Sequence, residues 1–205
     1  MVCMHRCFGL FAAMALFLVA ALAAPARAQP APELIETLRA GGLVIYWRHP
    51  ATHNDQADTN PFNLADCSTQ RQLNDTGRSQ SRTLGAALRD RGIIVAAILS
   101  SPFCRAKEAA ELLGLGAVTV VPELGEGGLV VSPNENGRRA RALRTMLGTA
   151  PTAGNTLLVS HRPNILDAVG VDAFAIAEGE IFVFRPQAEA PGYGLLGRVP
   201  LAAWR

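Results

Sequence analysis

The sequence predicts an α/β protein with a mostly parallel sheet. Short apolar runs end on polar pairs, helical patterns lie between them, and glycine or proline marks the joints. Residues 1–28 come before that pattern and read as a secretory signal peptide. His5 and Arg6 precede an apolar run from Phe8 to Ala24, and Ala26-Arg27-Ala28 before Gln29 has the small-x-small form of a cleavage site. A retained anchor is the rival, since the run approaches the ~17–25 residues of a span, but it is alanine-rich and ends in the cleavage pattern. Cys3 and Cys7 precede the run and leave with it.

Cleavage alters the charge. Removing Arg6 and Arg27 from the 19 basic residues leaves 17 against 17 acidic ones. A neutral mature chain has no basic excess for nucleic acid or acidic membrane, and after cleavage no stable membrane span is expected. Residues 29–205 have the length of one domain. Two cysteines remain, Cys67 and Cys104, and an exported compartment permits them to pair; two free thiols are the alternative.

Glu33 to Arg39 carries a helical pattern that Gly41-Gly42 ends, and Leu43 to Trp47 follows as a strand. Pro50 to Gln72 is polar and without period, long for a connection inside a domain, and is expected to be a binding loop or lid. Asn74 caps a helix reaching about Arg91, with Leu84 and Leu88 on one face and Gly92 as the stop. Ile93 to Leu99 is continuously apolar, as for a strand buried on both faces. A helix from about Cys104 to Leu113, a strand Val118 to Val121 and a turn through Gly125, Gly127 and Gly128 come next. After them come a helix Glu135 to Leu147 and a strand Thr156 to Val159. Ile181 to Phe184 and Tyr193 to Arg198 read as a hairpin on the sheet edge.

In such sheets ligands bind beyond the carboxyl ends of the strands. Three strands end on polar groups there: Arg48-His49, Ser100-Ser101 with Arg105 just inside the next helix, and Ser160-His161-Arg162. Arginine's fork suits phosphate oxygens, and a neutral imidazole is a competent nucleophile toward phosphorus. Phosphoryl transfer through a histidine fits this set.

The strand ending in Arg48-His49, LNDTGRSQS (73–81), LSSPFCRAKEAAE (99–111) and LLVSHRPNI (157–165) together resemble the histidine phosphatase superfamily, also called phosphoglycerate-mutase-like, in the family's order. The resemblance implies a three-layer α/β/α sandwich with His49 as the phosphorylated nucleophile and Arg48, Arg105 and His161 around the phosphate. It also places the general acid in a Leu-x-Glu segment after the third strand. Leu124-Gly125-Glu126 matches, so Glu126 takes that role, with Glu123 the runner-up. No cofactor and no metal are implied.

Two departures stand out. The family usually has glycine or alanine after the nucleophile, and this chain has Pro50, which lacks an N–H and biases His49 toward extended backbone. Where mutase-type members carry an acidic residue, threonine and then asparagine, this chain reads Ala51-Thr52-His53-Asn54-Asp55, which does not support mutase-like recognition. Thr52 remains an expected phosphate contact.

The expectation is therefore an exported, periplasmic or secreted phosphomonoesterase acting on small phosphorylated substrates, with cell-envelope saccharide phosphates as one class. Pro50 keeps a phosphate-binding module without turnover as the alternative. A zinc hydrolase using His49, His53 and His161 ranks lower, because the four-residue spacing of the first two needs a helix and Pro50 opposes one.

Overall fold

The computed structural model describes residues 31–60, 62–127 and 131–204, without the side chains of Val171 and Asp172. The signal peptide expected at 1–28, and Gly128 of the expected turn, lie outside the described residues. Strands β1 (Val44–Arg48), β2 (Val95–Ser100), β3 (Val118–Val120), β4 (Asn155–Ser160), β5 (Ile181–Pro186) and β6 (Tyr193–Val199) form one sheet in the order β3-β2-β4-β1-β5-β6. The first four run parallel, and the β5–β6 hairpin adds to β1 antiparallel.

Alternation along β1 builds two cores. Ile45 and Trp47 pack under α1 (Ala31–Ala40), α2 (Asp75–Asp90) and α3 (Cys104–Leu112). Val44 and Tyr46 face α4 (Pro133–Gly148) and α5 (Arg162–Val169). The expected three-layer sandwich is what forms. No helix of the described residues is long and apolar enough to cross a membrane.

Local chemistry sets the element ends. Gly41 and Gly42 adopt positive φ of 77° and 78° and turn the chain from α1 into β1. The Asn74 side chain accepts from Gly77 N–H at 2.9 Å and starts α2, whose Leu84 and Leu88 are fully buried as expected. A Cβ at Gly77 would lie 2.0 Å from the Ala51 carbonyl oxygen, so only glycine lets α2 approach the segment after His49.

Two expectations need correction. The first half of β2 is not buried on both faces: Ala96 and Ala97 are exposed, because β3 pairs only with Ile98 to Ser100 and a register shift interrupts the β4 pairing between Val95 and Ala97. The segment after His161 also forms a helix, α5, that the hydrophobic pattern did not announce. Pro163 in its first turn was the available signal.

Candidate active site

Register brings the strand ends level. Arg48 pairs with Ser160 across β1–β4, and Val159 pairs with Ser100 across β4–β2, so His49, Ser101 and His161 leave the sheet side by side. The His49 N–H donates to Ser160 O at 3.0 Å, and the Ser101 N–H donates to Val159 O at 2.9 Å, which continues the ladder past each strand and makes these positions rigid. His49 is 2% exposed and His161 is fully buried, with ring centroids 5.2 Å apart at 62°.

The tautomer of His49 follows from its partner. Its Nδ1 lies 3.0 Å from Pro50 O, and a carbonyl only accepts, so a neutral ring carries its hydrogen on Nδ1 and keeps the Nε2 lone pair. Burial, then the Arg105 charge, hold His49 well below its ordinary value near 6.5. Burial, then Arg105 and His49, do the same to His161. Both rings are neutral at physiological pH.

Arg105 is fully buried, its guanidinium 4.7 Å from the Phe103 ring. Nη1 donates to Asp58 Oδ1 at 2.9 Å, Nη2 is paired with Glu126 Oε2, and Nε has no hydrogen-bond partner among the described residues. Glu126 Oε2 also stands 3.6 Å from His161 Nδ1, beyond hydrogen-bond length. Three side chains hold its turn: Ser160 donates to Leu124 O at 2.8 Å, Asn164 to Gly125 O at 2.6 Å, and Arg139 to Glu126 O at 2.8 Å. Glu123 instead pairs with Arg138 at 2.8 Å on the outer surface, so geometry separates the two carboxylates that sequence left open.

Arg48 and Thr52 are engaged differently from a bare phosphate cradle. Arg48 Nη1 donates to Ile176 O at 2.7 Å, Nη2 reaches Glu178 Oε1 at 3.4 Å, and the Thr52 hydroxyl donates to the same Glu178 oxygen at 3.1 Å. Burial lowers Arg48 from its ordinary value and Glu178 opposes that shift. Arg48 Nε stays buried without a partner among the described residues. His53 lies apart, half-exposed and 3.9 Å from Asp55, and no group of three metal-type ligands gathers among the described residues.

The polar loop does reach the site. Cys67 pairs with Cys104 across a Cα–Cα distance of 5.7 Å, and Gln70 accepts the N–H of Cys104 at 2.9 Å, so the loop is tied to the start of α3 beside Arg105. Sequence reasoning missed Asp58, Arg71 and Glu178. The Arg71 N–H donates to Asp58 at 2.9 Å and its charge acts on both histidines. Arg71 stands just before the LNDTG helix entry, which was the one usable signal.

The family model described as "Histidine phosphatase superfamily (branch 1)" matches residues 44–129. No curated protein matches the chain. Among solved structures, the protein histidine phosphatase SixA complexed with tungstate is 19% identical, with a TM-score of 0.57 over 80% of this chain and 99% of that one. Phosphoserine phosphatase from Entamoeba histolytica in complex with 3-phosphoglyceric acid is 15% identical, with a TM-score of 0.55 over 77% and 96%. Mycobacterial glucosyl-3-phosphoglycerate phosphatase is 16% identical, with a TM-score of 0.53 over 76% and 97%. These likenesses establish the fold, and the family model covers β1, the loop and the strand ends that carry Arg48, His49, Arg105 and Glu126. Residues 44–129, where most of the site is built, are thus similar to the histidine phosphatase superfamily, and the fold across the layers is that of the solved phosphatase structures.

Proposed function

We propose that the protein is an exported phosphomonoesterase that works through a phosphohistidine on His49. The observation that carries this is the His49 imidazole, its Nδ1–H held by Pro50 O and its Nε2 lone pair free, beside His161 and the buried Arg105. Pro50 thus contributes a carbonyl where its missing N–H suggested a loss.

In the first step Nε2 attacks phosphorus, the P–O bond to the leaving group breaks, and a P–N bond forms. Arg105 stabilises the equatorial oxygens, which requires its arms to pass from Asp58 and Glu126 to the phosphoryl group. Glu126, displaced from Arg105 by the arriving phosphoryl group, takes up a proton from solvent as the substrate binds and passes it to the leaving oxygen. In the second step water gives that proton's replacement to Glu126, attacks phosphorus, and the P–N bond breaks to release inorganic phosphate and neutral His49.

The substrate class is a small phosphomonoester. Neighbouring folds bear names of phosphatases for phosphoserine and glucosyl-3-phosphoglycerate, which supports small phosphorylated metabolites and saccharide phosphates. The sequence of residues 1–28 adds export to the periplasm or medium, where cell-envelope saccharide phosphates are the matching class. Rapid quenching with a labelled phosphoester should trap an acid-labile, base-stable label on His49, and His49→Ala should stay folded while losing label and turnover. Normal turnover by folded His49→Ala would refute the mechanism. Phosphate binding without hydrolysis of any ester in a panel would favour the non-catalytic module. N-terminal sequencing of the exported protein should begin at Gln29.

A further inference from the structure

We propose that Ser101 is a positioning residue that fixes the tautomer of His161, keeping its hydrogen on Nδ1 so that this N–H donates to a phosphoryl oxygen. The tautomer stands on geometry alone; the phosphoryl acceptor rests on the phosphatase reading.

Ser101 is fully buried at the end of β2, its Oγ 2.7 Å from His161 Nε2. The same Oγ accepts the Phe103 N–H at 3.2 Å. A hydroxyl has one hydrogen to give, and Phe103 N–H is a donor that uses a lone pair without taking that hydrogen. Among the described residues His161 Nε2 is the acceptor that receives it. Were Nε2 to carry the hydrogen instead, the Ser101 hydroxyl hydrogen would be buried without an acceptor, which is costly. The other nitrogen agrees. His161 Nδ1 is buried with no hydrogen-bond partner among the described residues, and the nearest acidic oxygen, Glu126 Oε2 at 3.6 Å, favours a hydrogen on that side.

His49 and His161 are therefore set in opposite senses. A backbone carbonyl holds Nδ1–H of His49 and leaves a lone pair on Nε2. A serine hydroxyl occupies Nε2 of His161 and leaves a donor on Nδ1. One ring attacks, the other stabilises charge, and no proton moves between them.

The test is ¹⁵N–¹H NMR of histidine-labelled full-length protein at pH 7, with and without inorganic phosphate. Expected for His161 is an Nδ1–H with a pyridine-type Nε2, and an Nδ1–H resonance that moves on adding phosphate. Ser101→Ala should mix the tautomers and lower kcat/KM about 10- to 100-fold, by analogy with the loss of the partner that orients a metal-bound histidine. The wild-type spectrum decides whether or not that variant folds. An Nε2–H tautomer in the wild type overturns the inference, as does a folded Ser101→Ala protein with an unchanged tautomer and unchanged kinetics. The expected tautomer in a protein that hydrolyses no ester would support the assignment of Ser101 and count against the phosphatase reading.

Discussion

Lowering the pH from 7 to 5 should destabilise this protein strongly, and the cause is two imidazoles. His49 and His161 are buried against Arg105 and held well below their ordinary value near 6.5. Above that value both are neutral folded and unfolded, and they add no pH dependence. Below it the unfolded chain takes up protons that the folded chain refuses, so stability falls as the pH falls. A histidine that stays neutral in the fold across the whole window costs up to about 2 kcal/mol between pH 7 and pH 5, so the pair sets a ceiling of about 4 kcal/mol. Glu123, which Arg138 lowers, loses its stabilising effect only below the usual carboxylate range and stays outside this window. Urea unfolding at pH 7, 6 and 5 measures the effect, and His49→Asn should halve the slope. Stability constant to within about 1 kcal/mol across the window would refute the neutral, buried pair. The same cause predicts that the acid limb of turnover lies below the ordinary histidine range, because burial and Arg105 hold the attacking ring neutral to lower pH.

Two further outcomes are expected. Arg105→Lys keeps the charge but loses the fork that reaches both Asp58 and Glu126, so kcat/KM should drop about 100-fold with a much smaller shift in urea midpoint; unchanged kinetics would place Arg105 outside the chemistry. Removing the bridge by Cys67→Ser with Cys104→Ser opens a loop of sequence separation 37 and should cost up to about 4 kcal/mol of unfolding free energy. Two free thiols by mass spectrometry of freshly isolated, non-reduced protein would show that the bridge does not form.

What was legible in the sequence was what lies next to a strand end. Arg48-His49, Ser100-Ser101 and Ser160-His161 each follow an apolar run, and one parallel sheet necessarily brings such ends to one edge. Choosing between Glu123 and Glu126 needed the structure, because the 3-10 turn Pro122–Leu124 points one carboxylate outward to Arg138 and the other inward to Arg105. Asp58, Arg71 and Glu178 were hidden for another reason. They sit on irregular segments, where no period ties sequence position to direction, and their roles come from partners 13 to 47 and 126 to 130 residues away. The exposed start of β2 was misjudged because composition does not reveal how short the neighbouring strand is.

The polar loop has a closed neck. Thr52 bridges Leu73, the His53 N–H donates to Gln72 O, the Asn74 N–H donates to Ala51 O, and Asn74 Nδ2 donates to Thr52 O. Gly77 lets α2 press on the Ala51 side of that neck. Both stems of the loop are thus anchored independently of what lies between them, and the nucleophile's backbone does not depend on the loop's length or sequence. What lies between the stems is not interchangeable as a block, because Asp58, Cys67 and Gln70 hold Arg105 and the start of α3; a change of loop sequence that keeps those positions should alter which leaving group is admitted while the nucleophile's backbone stays in place.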